Sequence, residues 1–281
     1  MKKISLNLQD DIADTLLITL YAKSVETQKK NPLISDQIAC ELVEKIDYDF
    51  SKYKNKKATS VGVALRSTHF DQKVKDFIQL HHYLNHQPII VFVGCGLDTR
   101  IQRIGKSAEH AEFYQLDIAE VIEQRQQLIP AHKNEHFIAS SMLSTTWMDQ
   151  LKETHPNGNF MFVIEGVLMY FNQAQNQQVL TALAERFSGA ELHFDMLNAW
   201  MSTQSALHDT VSKSKATFKF GLDDEKAIET WHPKLKHVRT YLFNQFKGWH
   251  RMGLMLTTLM SIVPKLKTSS RIVMFKIHEG F

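Results

Sequence analysis

Two glycines and an acid give the first chemical signal in this chain. In "IIVFVGCGLDTR" (89–100) an apolar run ends in Gly94-Cys95-Gly96, and Asp98 and Arg100 follow at once. Glycines at a strand end let a ligand approach the backbone without meeting a Cβ. Asp117 closes the next β-rich run, "EFYQLD", 23 residues after Gly94. Ligands of an open parallel sheet bind beyond the carboxyl ends of its strands, and an acid at the second strand end accepts hydrogen bonds from ribose hydroxyls.

The pattern implies a ribose but argues against a pyrophosphate. The third glycine of Gly-x-Gly-x-x-Gly would fall at Thr99, and Asp98 would repel phosphates at the turn. A cofactor with an adenosine and a positively charged end fits better, and S-adenosylmethionine has both. An NAD-dependent oxidoreductase, which also uses Gly-x-Gly and a later Asp, is the alternative. A third reading is a non-catalytic cofactor-binding regulatory protein. Cys95 reads as a small residue in a tight turn rather than a redox thiol.

These residues need a sheet to position them. From Pro88 onward, β-rich runs at 89–94, 112–117, 136–141, 159–166 and 190–197 alternate with helical patterns, and 237–243 and 271–277 add two more. The alternation predicts an α/β fold with a parallel sheet of seven strands. The first ~80 residues carry helical periodicity, with a Ser-Asp cap signal at 35–36. Residues 198–236 are polar and irregular and are expected to cover one end of the sheet.

Composition sets the outer limits. The chain has 281 residues, 43% hydrophobic and 22% charged, with a net charge of +3, too weak to argue for a nucleic-acid partner. The basic run "KYKNKK" (52–57) reads as a solvated loop. Two cysteines, Cys40 and Cys95, make no disulfide framework, so a reducing cytoplasm is the expected setting. The N-terminus does not read as a signal peptide. The greasiest segment, "MGLMLTTLMSIV" (252–263), falls short of the ~20 residues that span a bilayer, so no membrane partner is expected.

The runs "LLITLYAKSVETQKKNPLISDQIACELVEKIDYDF", "LRSTHFDQKVKDFI", "VFVGCGLDTR", "FYQLDIAEVIEQR", "TTWMDQL" and "FVIEGVLMYF" occur in this order. Together they resemble the leucine carboxyl methyltransferase family, in particular its bacterial branch similar to polyketide O-methyltransferases. The resemblance implies a seven-stranded Rossmann-like class I methyltransferase sheet (88–281) behind an N-terminal helical cap (1–87), with a substrate-covering insertion at about 198–236. It implies S-adenosylmethionine-dependent O-methylation, with no metal, of a carboxylate or hydroxyl on a polyketide-like small molecule or a peptide C-terminus. The expected assembly is a monomer or homodimer.

Carried over by position, Arg66 holds the cofactor's methionine carboxylate, Gly94 and Gly96 form the floor, Asp117 takes the ribose, and Glu165 faces the amino group. Arg100 is expected to pair with a local carboxylate. Where family members have Asp-Leu against the adenine, this chain has Met142-Leu143, so Ser141 or Ser144 would have to replace the acid. A second departure, Gln115 for a frequent Glu, is expected to change only local hydrogen bonding. No catalytic base is evident. His69 and His208 are weak candidates, and Tyr170 could close the methyl channel or pack in the core. His193 and Asp195 could pair at the fifth strand's end, although a satisfied sheet histidine is the plainer reading. The Met, Phe and Trp content of 198–236 suggests a bulky, apolar acceptor or, equally, core packing.

Overall fold

The computed structural model describes residues 3–6, 15–205, 210–213 and 216–279. Three helices lead the chain: α1 (Leu16–Thr27), α2 (Gln37–Lys45) and α3 (Lys57–Tyr83). Strands and helices then alternate: β1 (Pro88–Val93), α4 (Arg100–Ile104), β2 (Glu112–Asp117), α5 (Ala119–Leu128), β3 (Glu135–Ala139), α6 (Thr146–Thr154), β4 (Asn159–Ile164), α7 (Gln173–Arg186) and β5 (Glu191–Leu197). The short α8 (Ala199–Ser202), then β6 (Leu235–Leu242), α9 (Leu254–Ile262), α10 (Pro264–Lys267) and β7 (Ser270–Ile277) complete it.

The seven strands lie in the order β3-β2-β1-β4-β5-β7-β6, with β7 antiparallel to both neighbours. Strand order reverses between β1 and β4, and such a switch point opens a crevice at the carboxyl ends. Register brings those ends level: Val93 pairs with Leu116, Asp117 with Ala139, and Ile164 with Phe194. The glycine turn, Asp117 and Glu165 therefore share one edge of the sheet.

Both faces of β1 are buried, which is why it reads as an unbroken apolar run. Ile89, Val91 and Val93 point into a core shared with Trp147, Phe162 and Leu180. Ile90 and Phe92 point the other way, onto Phe70, Val74 and Phe77 of α3. The second half of α3 is thus a sheet-packing helix. The expected boundary at residue 87 assigns all of α3 to the cap, whereas the packing divides the helix itself.

The rest of the helical segment packs beyond the sheet's edge. Asp36 caps α2 by accepting the Ala39 N–H at 3.0 Å, as its sequence signal predicts. Leu17, Leu20 and Leu42 pack on Met169, Tyr170 and Leu197, beyond the carboxyl ends of the strands. Part of 198–236 joins them: Phe218 packs with the cap, while Phe220 and Ile228 pack on the sheet.

Candidate active site

A cavity of about 170 Å³ opens where the carboxyl ends of β1, β2 and β4 meet, and α1 covers part of it. Six expected residues line it: Arg66, Gly94, Gly96, Asp117, Met142 and Glu165. Leu143 does not line it. Its side chain packs toward the sheet core, and its N–H donates to Ser141 Oγ at 3.2 Å. Ser141 lines the cavity beside Met142, whereas Ser144 is not among the lining residues and its Oγ accepts from Thr146 N–H at 3.3 Å.

The glycine turn has conformational reasons for its composition. Gly94 and Gly96 sit at φ +69° and +50°, and a Cβ at Gly94 would stand 2.4 Å from Val167 Cγ2. The Gly96 N–H donates to Asp117 Oδ2 at 2.8 Å, so the second strand end holds the first turn in shape. Asp117 Oδ1 also accepts from Ile118 N–H at 2.8 Å, which fixes the carboxylate plane. Behind the turn lies Arg125, wholly buried, donating to the carbonyls of Gly96 (3.1 Å) and Asp98 (2.6 Å) and pairing with Glu135 (3.0 Å). Gln115 donates to the same Glu135 at 2.9 Å, a local bond of the kind expected for it.

One wall of the cavity is a chain of buried ion pairs. Asp98 meets Lys23, Arg100 (3.0 Å) and Arg103 (2.9 Å), so the anion expected to repel phosphates is answered by three cations. Asp71 joins Arg100 to Arg103 at 2.7 and 2.8 Å, and Asp36 pairs with Arg103 at 2.9 Å. Glu165 accepts from Arg66 Nε (3.0 Å), Ser67 Oγ (2.8 Å) and Arg100. Asp195 accepts from Arg66 Nη1 (2.7 Å) and Gly166 N–H (2.6 Å). Arg66 Nη2 has no hydrogen-bond partner among the described residues.

Charge and burial oppose each other along this wall. Burial resists ionisation of Asp98 and Glu165, but their arginine neighbours outweigh it and hold both below the usual carboxylate range. At Asp195 burial prevails over Arg66, and the carboxyl is raised. Arg66 is itself pushed further up, because Asp195 and Glu165 overcome its own desolvation. Four bases (Lys23, Arg66, Arg100, Arg103) face five acids (Asp36, Asp71, Asp98, Glu165, Asp195). The cavity lining itself holds three bases (Lys23, Arg66, Arg100) and three acids (Asp98, Asp117, Glu165), so both signs of charge meet a ligand there.

A second cavity, about 440 Å³, adjoins the first and shares Thr15, Thr19, Arg66 and Gly166 with it. Trp200, Met201, Phe218, Phe243, Leu256 and Met260 give it an apolar lining. Tyr170 lines it too, its hydroxyl pushed up to about 12, chiefly by burial. His69 lines neither cavity: its ring packs between Tyr241 (4.3 Å) and Phe246 (5.2 Å), where burial lowers its pKa to about 4. His208 lies outside the described residues.

The remaining sequence candidates sort plainly. His193 bonds Glu191 at 2.9 Å rather than Asp195, so the suggested pair does not form. Arg100 pairs with Asp71, Asp98 and Glu165, as expected for it. Cys95 is buried in the turn with its thiol pushed well up by burial, an inert setting. Lys23 and Arg125 carry roles that sequence reasoning missed. A signal existed for Lys23, since it falls at helical spacing from Leu17 and Leu20 on the buried stripe of α1 and is only 2% exposed.

Comparison with known proteins agrees with this geometry. The chain is 25% identical over 225 residues to the tetracenomycin polyketide synthesis O-methyltransferase TcmP of Streptomyces glaucescens, covering 80% of each chain. It is 22% identical over 277 residues to the S-adenosyl-L-methionine-dependent methyltransferase dpfgK of Gibberella zeae, covering 92% of each. A solved structure from Thermobifida fusca, described as that of a putative methyltransferase, shares the fold with a TM-score of 0.58 at 11% identity, covering 92% of this chain and 94% of that one. The sequence profile of the leucine carboxyl methyltransferases matches residues 16–184, which contain the glycine turn, Asp117 and the ion-paired wall as far as Glu165. This chain belongs to the leucine carboxyl methyltransferase family.

Proposed function

We propose that this methyltransferase transfers the methyl group of S-adenosylmethionine to a carboxylate oxygen of a bulky, apolar small molecule. The observation that carries the reading is the shared wall: Thr15, Thr19, Arg66 and Gly166 line both cavities, so ligands in the two would meet there. The residues of the first cavity fit the cofactor. Asp117 offers lone pairs to ribose hydroxyls, the glycines leave room for close approach, and the mixed charges of the lining suit an amino-acid end that carries both an ammonium and a carboxylate. Arg66 Nη2 and the Lys23 ammonium are the donors for its carboxylate, and Glu165 is the acceptor for its amino group. Ser141 is the hydroxyl that replaces the family's acid against the adenine. The bound cofactor supplies a methyl group already activated on a sulfonium.

The chain's own task is then alignment and exclusion of water. The apolar lining of the second cavity desolvates the acceptor, and the Arg66–Asp195 pair fixes the floor between the two sites. Among the described residues, the titratable lining groups are Arg66, Tyr170 and Asp195. Tyr170 stays protonated to about pH 12. Both oxygens of Asp195 are engaged, by Arg66 and by Gly166. Neither is poised to deprotonate a hydroxyl, whereas a carboxylate acceptor, with a reference pKa near 4, needs no base. The two free thiols, Cys40 and Cys95, suit a reducing cytoplasm.

Incubation with methyl-labelled cofactor and a panel of polyketide-like aromatic acids tests this reading. The labelled product should be an ester cleaved by mild base, and its rate of formation nearly flat from about pH 6 to 9. A base-stable product, or a rate climbing through that window, would move the acceptor to a hydroxyl.

A further inference from the structure

The apolar run that is too short to cross a bilayer forms α9, and it is not a core helix. Leu256 and Met260 on its inner side line the second cavity and pack with Val61, Leu65 and Phe243. Its outer side also carries large apolar side chains in water, beside Thr258 and Ser261: Leu254 is 85% exposed, Met255 78% and Ile262 69%. Among the described residues, four of the nine exposed large hydrophobic side chains lie on this one helix of nine residues. Contiguous exposed patches of this kind mark contact surfaces.

Charge identifies the contact. From residue 230 to residue 278 the chain carries nine Lys and Arg and no Asp or Glu. Lys247 precedes α9 and Lys265 follows it; both are exposed, and neither forms an ion pair with a described residue. Arg251, also nearby, is neutralised by Glu26 at 2.8 Å and does not count. A second basic stretch adjoins the same cavity. Lys54 and Lys57, exposed and unpaired among the described residues, stand just before Ala58 and Thr59, which line it with Leu256 and Met260. No acid occurs between residues 50 and 70 either.

We propose that α9, flanked by Lys247 and Lys265 and adjoined by the 54–57 basic stretch, docks on an anionic lipid surface and lies in its interface. An apolar helix bounded by cations is the pattern that sinks into the headgroup boundary while the cations meet lipid phosphates. A second copy of the chain fits less well. Two-fold antiparallel pairing of α9 would set Lys247 of one copy toward Lys265 of the other, with no acid in the segment to relieve the repulsion. Docking would also place the wall of the second cavity against the phase in which an apolar acceptor dissolves.

Co-sedimentation of the full chain with vesicles tests the proposal, using phosphatidylcholine alone and phosphatidylcholine with phosphatidylglycerol in equal parts. The protein should bind the anionic vesicles at least tenfold more tightly than the neutral ones, and high salt should release it. Lys247→Glu with Lys265→Glu should lose roughly tenfold or more of that affinity. Met255→Glu with Ile262→Glu should remain in the supernatant, with the thermal midpoint unchanged because both side chains are exposed. Failure of the unaltered protein to sediment with anionic vesicles at low salt would overturn the proposal, whatever the variants do. So would equal binding by all three proteins. Dimerisation abolished by Met255→Glu, without vesicle binding, would assign the face to a second copy instead. Sedimentation reads binding and not turnover, so its failure leaves methyl transfer untouched.

Discussion

One side of the first cavity is walled by side chains that ion pairs hold in place, whereas the second, away from the Arg66–Asp195 pair at its floor, is walled mainly by side chains held by packing. Around the first, Lys23, Arg66, Arg100 and Arg103 are each fixed by one or more carboxylates. Around the second, four methionines (Met169, Met201, Met252 and Met260) contribute to the lining. Methionine is unbranched and polarisable and fills irregular space without demanding one shape. A wall of paired charges cannot be remodelled piecemeal, because removing one partner strands the others in a buried site. The contrast fits one fixed cofactor beside an acceptor pocket that can change shape.

The sharpest way to break the contrast is to break the wall. Glu165→Ala would leave Arg66 and Arg100 adjacent without the acid between them, at a cost of about 3–5 kcal/mol in folding stability. Chemical denaturation measures this directly, and an unchanged midpoint would show that the pairs do not hold the wall. The second cavity should respond differently. Gly62 lines it from α3, and a Cβ there meets only Met252 Cε, at an ordinary 3.7 Å. Gly62→Leu should fill acceptor space and lower turnover at least tenfold, while replacing a helix glycine gains up to about 1 kcal/mol of stability. Turnover at the wild-type rate would remove that cavity from the acceptor's path.

The smallest effect on turnover belongs to a residue outside both cavities. His69→Phe should leave the rate unchanged, since His69 touches neither site. Its effect on stability has a definite sign. Folded His69 titrates at about 4 against an ordinary 6.5, so the unfolded chain binds more protons in between. Stability is therefore lost as pH falls from 6.5 toward 4, by about 1–2 kcal/mol at pH 5, and His69→Phe should flatten that fall. Unfolding midpoints at pH 7 and pH 5 check it; a rate loss in the variant would return His69 to the list of catalytic candidates.

Local signals account for what the sequence predicts well. The central strands β1 and β4 are short apolar runs, and β2 coincides with its predicted span, 112–117. The glycine turn and Asp117 were legible because their spacing lies within one βα unit. The ion-paired wall was not. It joins Lys23 to Asp98, Arg66 to Asp195 and Arg100 to Glu165, partners brought together only by sheet order and cap packing. The same long-range packing sets the second half of α3 on the sheet, although the helix itself runs unbroken from 57 to 83. Leu143 stands one residue beyond the lining run 140–142, and its side chain packs against the sheet core instead.

The division of labour between the two cavities is the central claim, and one calorimetric comparison tests it most directly. S-adenosylhomocysteine, the demethylated product, would be titrated into the unaltered protein, Asp117→Ala and Gly62→Leu. Asp117→Ala should weaken binding roughly tenfold to a hundredfold, because hydrogen bonds to a charged partner are worth about 1.5–3 kcal/mol. Gly62→Leu should bind as the unaltered protein does. Unchanged affinity in Asp117→Ala, together with lost binding in Gly62→Leu, would place the cofactor in the second cavity and contradict the account.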